Sequence, residues 1–113
     1  MNTSAKELGY AEGMVERRSK QAESIGKSAS KKEAMSIYRS MTACIKEVSK
    51  HYRNILRSVD NESAGHAIDA IALVHTARRW HEKSLEELSV WGVTDDEVRT
   101  INTEVGWDNS VVC

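Results

Sequence analysis

The clearest pattern in the sequence is a row of apolar residues spaced alternately by four and three positions between residues 34 and 59. The row consists of Ala34, Tyr38, Met41, Ile45, Val48, Tyr52, Ile55 and Val59. A mean spacing of about 3.5 residues places all of its members on one face of an α-helix. The pattern therefore predicts one long, unbroken helix over residues 31–59.

Three further helices are predicted from shorter apolar rows and from the residues at their ends. A serine or threonine followed three residues later by glutamate, which is the pattern of a helix start, occurs at Ser4, Ser30 and Thr94. The predicted helices span residues 5–25, 64–91 and 95–105, and a glycine follows each of them. Gly9 and Gly13 weaken the first of these helices, so we expect it to be ordered by docking.

A short segment at residues 60–63 joins the two longest predicted helices and makes them an antiparallel hairpin. Residues whose numbers sum to about 123 then lie level, such as Val48 and His75, or Tyr38 and Leu85. The second helix has bulky apolar residues on more than one face, which the hairpin alone cannot bury. We therefore expect an all-α helical bundle that forms a single domain, residues 1–113, and is completed as a homodimer or larger homo-oligomer.

The composition fits a helical domain and sets limits on its location. Proline and phenylalanine are absent, and the formal net charge is −1. The two cysteines, Cys44 and Cys113, belong to no disulfide or metal-binding motif, so we expect a reducing, cytoplasmic location. The polar N-terminal residues lack the apolar core of a signal peptide, and no apolar run has the length of a membrane span. We expect no bound cofactor or metal.

A basic stripe runs along the predicted helix 31–59, opposite its apolar row. It consists of Lys32, Arg39, Lys46, Lys50, Arg53 and Arg57. Residues 1–57 contain 12 basic and 6 acidic residues, whereas residues 58–113 contain 4 and 11. The stripe predicts contact with nucleic-acid phosphates, a nucleotide or an acidic protein, or else a solvated face neutralised by the acidic C-terminal half. The small net charge favours the second interpretation.

A second candidate site lies in the C-terminal half. Arg78, Arg79 and Trp80 are adjacent; a guanidinium group binds phosphate through two hydrogen bonds, and an indole stacks on a base. Trp107 follows a glycine outside the predicted helices and is a candidate contact for a partner. In the structural alternative, both arginines pair with Glu82 on the same helix, and Trp80 belongs to the core.

Two histidines of the predicted helix 64–91 are candidates for a polar patch but not for a metal site. His75 and His81 are six residues apart, too far around a straight helix to share one ion. We expect both to border the hairpin seam, with the hydroxyl group of Tyr38 or Tyr52 within reach.

The sequence contains no arrangement typical of an enzyme: no glycine-rich phosphate loop, no cysteine–histidine pair and no carboxylate spacing for magnesium. We therefore predict a small non-enzymatic protein that acts as an inhibitor, adaptor or regulator through protein–protein contacts. Its size and lack of catalytic motifs suit a phage anti-defence or regulatory protein. The alternative is a binder of phosphate-bearing ligands through the basic stripe and the two adjacent arginines.

Overall fold

The computed structural model describes residues 3–58 and 64–107 and shows an all-α protein, which confirms the predicted fold class. Its helices are α1 (Thr3–Glu23), α2 (Lys31–Ser58), α3 (Ala64–Leu88) and α4 (Asp95–Val105). A single 3₁₀ turn follows α1 at Ile25–Lys27, and another follows α3 at Ser89–Trp91. The described part of the chain contains no β-strand.

The two 3₁₀ turns explain why α1 and α3 end slightly earlier than the apolar rows predict. The indole nitrogen of Trp91 donates to the carbonyl oxygen of Ile25 at 3.0 Å and ties the two turns together. Gly92 then takes a left-handed conformation with φ of 72°, which stops the chain from continuing as a helix. The turn predicted at residues 60–63 and the Cys113 tail lie outside the described residues.

α2 is one continuous helix that buries most of its apolar row; Tyr52 is half-buried, and Val59 lies outside the described residues. Ala34, Tyr38, Met41, Ile45, Val48 and Ile55 are each at most 1% exposed. α3 packs against α2 in the antiparallel direction, and Thr42 Oγ1 lies 3.0 Å from His81 Nε2. The numbers of this pair sum to 123, in agreement with the register predicted for the hairpin.

One detail of the predicted seam is wrong. His75 is exposed and does not border the seam. Val74, one position earlier, is fully buried there instead. Successive residues of an α-helix point about 100° apart, so a side chain adjacent to the buried row turns towards solvent.

α1 completes a three-helix bundle on the hairpin. Leu8 packs with Ile55 and Ala70 near one end of the bundle, and Val15 joins the core cluster that contains Ile45. Residue numbers therefore rise along α1 as they fall along α2, so these two helices are antiparallel. Helices of the same chain thus cover the hairpin, and homo-oligomerisation stays a prediction that this burial does not require.

α4 lies along the first half of α2 and runs parallel to it. Thr94 and Glu97 form the reciprocal capping box that the sequence predicts: Thr94 Oγ1 accepts from the Glu97 N–H, and the Glu97 carboxylate accepts from the Thr94 N–H. Gly106 ends the helix in a left-handed conformation. The apolar side of α4 contributes Ile101, 3% exposed, to a cluster with Tyr38.

Candidate functional site

α4 covers the first part of the basic stripe. Arg39 forms an ion pair with Glu104, and the Lys46 ammonium group donates to the carbonyl oxygen of Val105 at 2.9 Å. Next to the stripe, Lys31 lies 2.9 Å from Glu97. Within one chain, the acidic C-terminal half thus neutralises Arg39 of the stripe and the adjacent Lys31, and the backbone end of α4 binds Lys46. Lys32 remains exposed at the start of α2.

The last part of the basic stripe extends beyond α4. Lys50 and Arg57 are exposed, and Arg53 is half-buried. Leu56, beside them on the same helix, is 44% exposed. We call Lys50, Arg53, Leu56 and Arg57 the distal basic surface. Charged and apolar side chains that lie together on one helix face are suited to contact with another macromolecule.

The structure does not bring Arg78, Arg79 and Trp80 together. Arg78 is half-buried and faces α4, whereas Arg79 is exposed. Trp80 packs on the core cluster shared by α1, α2 and α3, with the Lys83 ammonium group 5.0 Å from its ring centre. Trp80 therefore has the structural role that the sequence offered as the alternative.

A partly enclosed cavity with a volume of about 190 Å³ lies between α2, α3 and α4. Its lining consists of Tyr38, Ile45, Arg78, His81, Glu82, Leu85, Asn102 and Trp107. Two residues predicted separately from the sequence, Arg78 and Trp107, thus meet at one cavity. Trp107 reaches it because Gly106 turns the chain back towards α2 and α3.

His81 forms one wall of the cavity as a neutral imidazole. Burial, reinforced by the positive charge of Arg78, lowers its pKa from 6.5 to about 4. The Thr42 hydroxyl donates its only proton to the Tyr38 carbonyl oxygen, so His81 Nε2 must donate to Thr42 Oγ1. The other ring nitrogen, Nδ1, is then a hydrogen-bond acceptor.

Aromatic rings hold His81 in place. Tyr38 stacks on it with ring centres 5.1 Å apart, and Trp107 meets it edge-on at 6.0 Å. The Tyr38 hydroxyl donates to Asn102 Oδ1 at 3.1 Å, which leaves the side-chain nitrogen of Asn102 available as a donor. Burial raises the pKa of the Tyr38 hydroxyl, so it remains a donor at neutral pH.

Arg78 and Glu82 bring opposite charges to the cavity without pairing with each other. They are four residues apart on α3, the spacing at which an ion pair is common. Among the described residues, however, no carboxylate oxygen lies within 4.0 Å of the Arg78 guanidinium group, and Glu82 has no cationic partner. The predicted pairing of both arginines with Glu82 is therefore wrong, and both charges remain available at the cavity.

A second polar cluster joins α1 to α2 and was not predicted from the sequence. Glu7 Oε1 lies 2.8 Å from His51 Nδ1 and accepts from Asn54 Nδ2 at 2.9 Å. Burial raises the Glu7 pKa, but the hydrogen bonds from His51 and Asn54 and nearby positive charge outweigh it, so the net pKa is lowered. Tyr10 packs edge-on against His51, with ring centres 5.2 Å apart. These residues anchor α1, and no local motif marks them.

The described residues form neither a metal site nor a reactive thiol. Among the described residues, no group of three or more histidine, cysteine or acidic side chains is arranged to hold a metal ion. Within residues 3–58 and 64–107, no helix has both the length and the apolar character needed to cross a membrane. Burial raises the pKa of the Cys44 thiol to about 12, so this cysteine is not a reactive nucleophile.

Comparisons with known proteins identify no relative. No family matches the chain, and no curated protein or solved structure is significantly similar to it.

Proposed function

We propose that this protein is a non-enzymatic helical binding protein that acts as an inhibitor, adaptor or regulator by contacting another protein. The observation that carries the proposal is the distal basic surface, where Lys50 and Arg57 remain exposed beside Leu56, whereas α4 binds Arg39 and Lys46 earlier in the stripe. Interfaces combine apolar contact with charge complementarity, so the fitting partner presents an acidic surface with an apolar centre.

The surroundings of this surface support the same proposal. The cluster of Leu8, Ile55 and Ala70 lies beneath this end of the bundle. Two large apolar residues within two positions of the cluster are exposed: Tyr10 by 61% and Ile68 by 67%. Scattered exposed apolar residues are ordinary, but three at one end of a small bundle, counting Leu56, enlarge the apolar area open to a partner.

Charge reversal at this surface tests the proposal. The variant Lys50→Glu/Arg57→Glu changes the distal basic surface, and Lys20→Glu/Lys27→Glu makes the same charge change at exposed positions near the opposite end of the bundle. In affinity capture from the native host after nuclease treatment, we expect one acidic protein to be retained by the unmodified chain and by the control variant. Binding to the distal variant should fall at least tenfold. Equal retention by both variants would refute the proposal.

The alternative function is that the cationic side chains of the distal basic surface bind phosphate-bearing ligands. Titration with a single-stranded and a duplex oligonucleotide, at 50 and 200 mM salt, separates the two functions. Phosphate binding weakens steeply with salt, with a slope set by the number of contacts, whereas a protein interface centred on Leu56 responds much less. Oligonucleotide binding that is lost in the distal variant would replace the protein partner with a nucleic acid.

A further inference from the structure

We propose that the cavity between α2, α3 and α4 binds a small zwitterion of the free amino-acid class. The proposed ligand places its carboxylate against Arg78 and Asn102 and its ammonium group against Glu82 and His81. This site is separate from the distal basic surface and does not depend on the function proposed for that surface.

The charges at the cavity favour a ligand that carries both signs. Arg78 and Glu82 line the same space and do not pair with each other in the described structure. A simple anion would be repelled by the Glu82 carboxylate, and a simple cation by the Arg78 guanidinium group. A zwitterion satisfies both side chains and adds no net charge to a partly enclosed site.

The uncharged groups of the cavity likewise include one hydrogen-bond donor and one acceptor. The Asn102 side-chain nitrogen is a donor, and the hydrogen bond from the Tyr38 hydroxyl to the amide oxygen fixes the orientation of the group. His81 Nδ1 is an acceptor because Nε2 donates to Thr42. A carboxylate accepts from the first pair of donors, Arg78 and Asn102, and an ammonium group donates to the pair of acceptors, Glu82 and His81.

The volume limits the size of the ligand. About 190 Å³ corresponds to the liquid volume of roughly six water molecules, too little for a nucleotide and suitable for a small amino acid. Ile45 and Leu85 supply apolar lining beside the polar groups. We therefore expect a short aliphatic side chain on the ligand.

Titrations followed by NMR test this proposal with L-alanine, L-valine and L-leucine as probes. The NMR signals that are followed are those of the Trp107 indole N–H and of the His81 ring. The variant Trp107→Phe lacks the indole N–H and therefore assigns the first signal. We expect at least one of the three amino acids to shift both signals in a saturable way below 10 mM. N-acetyl-L-valine lacks the ammonium group and L-valinamide lacks the carboxylate, so each should bind at least tenfold more weakly than L-valine.

Variants identify the charged contacts. Arg78→Gln and Glu82→Gln should each weaken binding of the best probe at least tenfold, because each removes a charge-assisted hydrogen bond. Arg79→Gln removes the adjacent exposed guanidinium group and should leave binding unchanged. Circular dichroism shows whether each variant keeps its helices, and Arg78→Lys, which retains the charge, should restore part of the affinity.

Two results would overturn the proposal. One is the absence of a saturable shift with all three amino acids at 10 mM. The other is equal or tighter binding of inorganic phosphate, which would show that the site selects an oxyanion and not a zwitterion.

Discussion

His81 is an uncharged imidazole in the core, and this makes stability depend on pH in a defined window. Its pKa falls from 6.5 to about 4 on folding, so between these values the unfolded chain binds more protons than the folded one. Stability therefore rises with pH across this window and is lost as pH falls from about 6.5 to about 4. The shift corresponds to about 3 kcal/mol.

Urea unfolding of the unmodified chain and of His81→Gln between pH 7.5 and 4 measures this effect. Glutamine retains a donor for Thr42 but does not titrate. The free energy of unfolding should decrease by about 3 kcal/mol more for the unmodified chain than for the variant. Parallel curves for the two proteins would contradict a buried neutral His81.

Cys44 should be chemically silent in the folded protein. It is 2% exposed, and burial raises its thiol pKa to about 12, so the thiolate is scarce at neutral pH. In a Cys113→Ser variant, Cys44 is the remaining thiol. We expect it to react with Ellman's reagent about a thousandfold more slowly in buffer than in urea. Similar rates in the two solvents would show that the α2 seam opens readily.

The structural role of a residue was predictable from the sequence where a local pattern determines that role. The buried row of α2 follows from spacing alone, and Thr94 and Glu97 form their capping box within one helical turn. The contact between Tyr38 and Asn102 joins positions 64 apart, and no local pattern encodes it. The cavity depends on such distant contacts, so the sequence indicated Arg78 and Trp107 but not that they share a site.

At the scale of elements, substitution by alanine should raise the stability of the protein at one glycine and lower it at another. Gly9 is exposed inside α1 with nothing within 4 Å of an added Cβ, so Gly9→Ala should stabilise the protein by about 0.5–1 kcal/mol. Gly92 also has open space, but L side chains rarely adopt its φ of 72°, so Gly92→Ala should cost about 1–2 kcal/mol. Thermal unfolding measures both, and changes of equal sign would contradict the backbone assignment at Gly92.

The ends of α2 and α4 that carry strong signals were predicted well, whereas α1 begins at Thr3, before the Ser4 predicted as its start, and ends at Glu23. α2 begins at Lys31 and α4 ends at Val105, as expected from the serine before α2 and the glycine after α4. The position of α4 on α2 was not predicted. It depends on charge pairing and on the burial of Ile101, which link segments far apart in sequence.

The whole molecule is elongated, with a Cα radius of gyration of 15.0 Å and extents of 48 × 24 × 17 Å. A compact chain of this length would have a radius of about 13 Å. The long sides of the molecule offer surface for contact with a second copy in the homo-oligomer predicted from the sequence. Native mass spectrometry at micromolar concentration should then give a multiple of 12.7 kDa. A single species at the monomer mass would contradict that prediction.

The parallel placement of α4 on α2 makes part of the fold responsive to the surrounding electrolyte. α4 is fastened at Lys31, Arg39 and Lys46 through charged groups, and the Lys31 and Arg39 side chains are partly exposed. Exposed ion pairs weaken as dissolved ions screen them, whereas the apolar seam of α1, α2 and α3 does not. Concentrated salt should therefore speed hydrogen exchange at the amides of α4 more than at those of the three-helix bundle, while the burial of Ile101 keeps α4 docked.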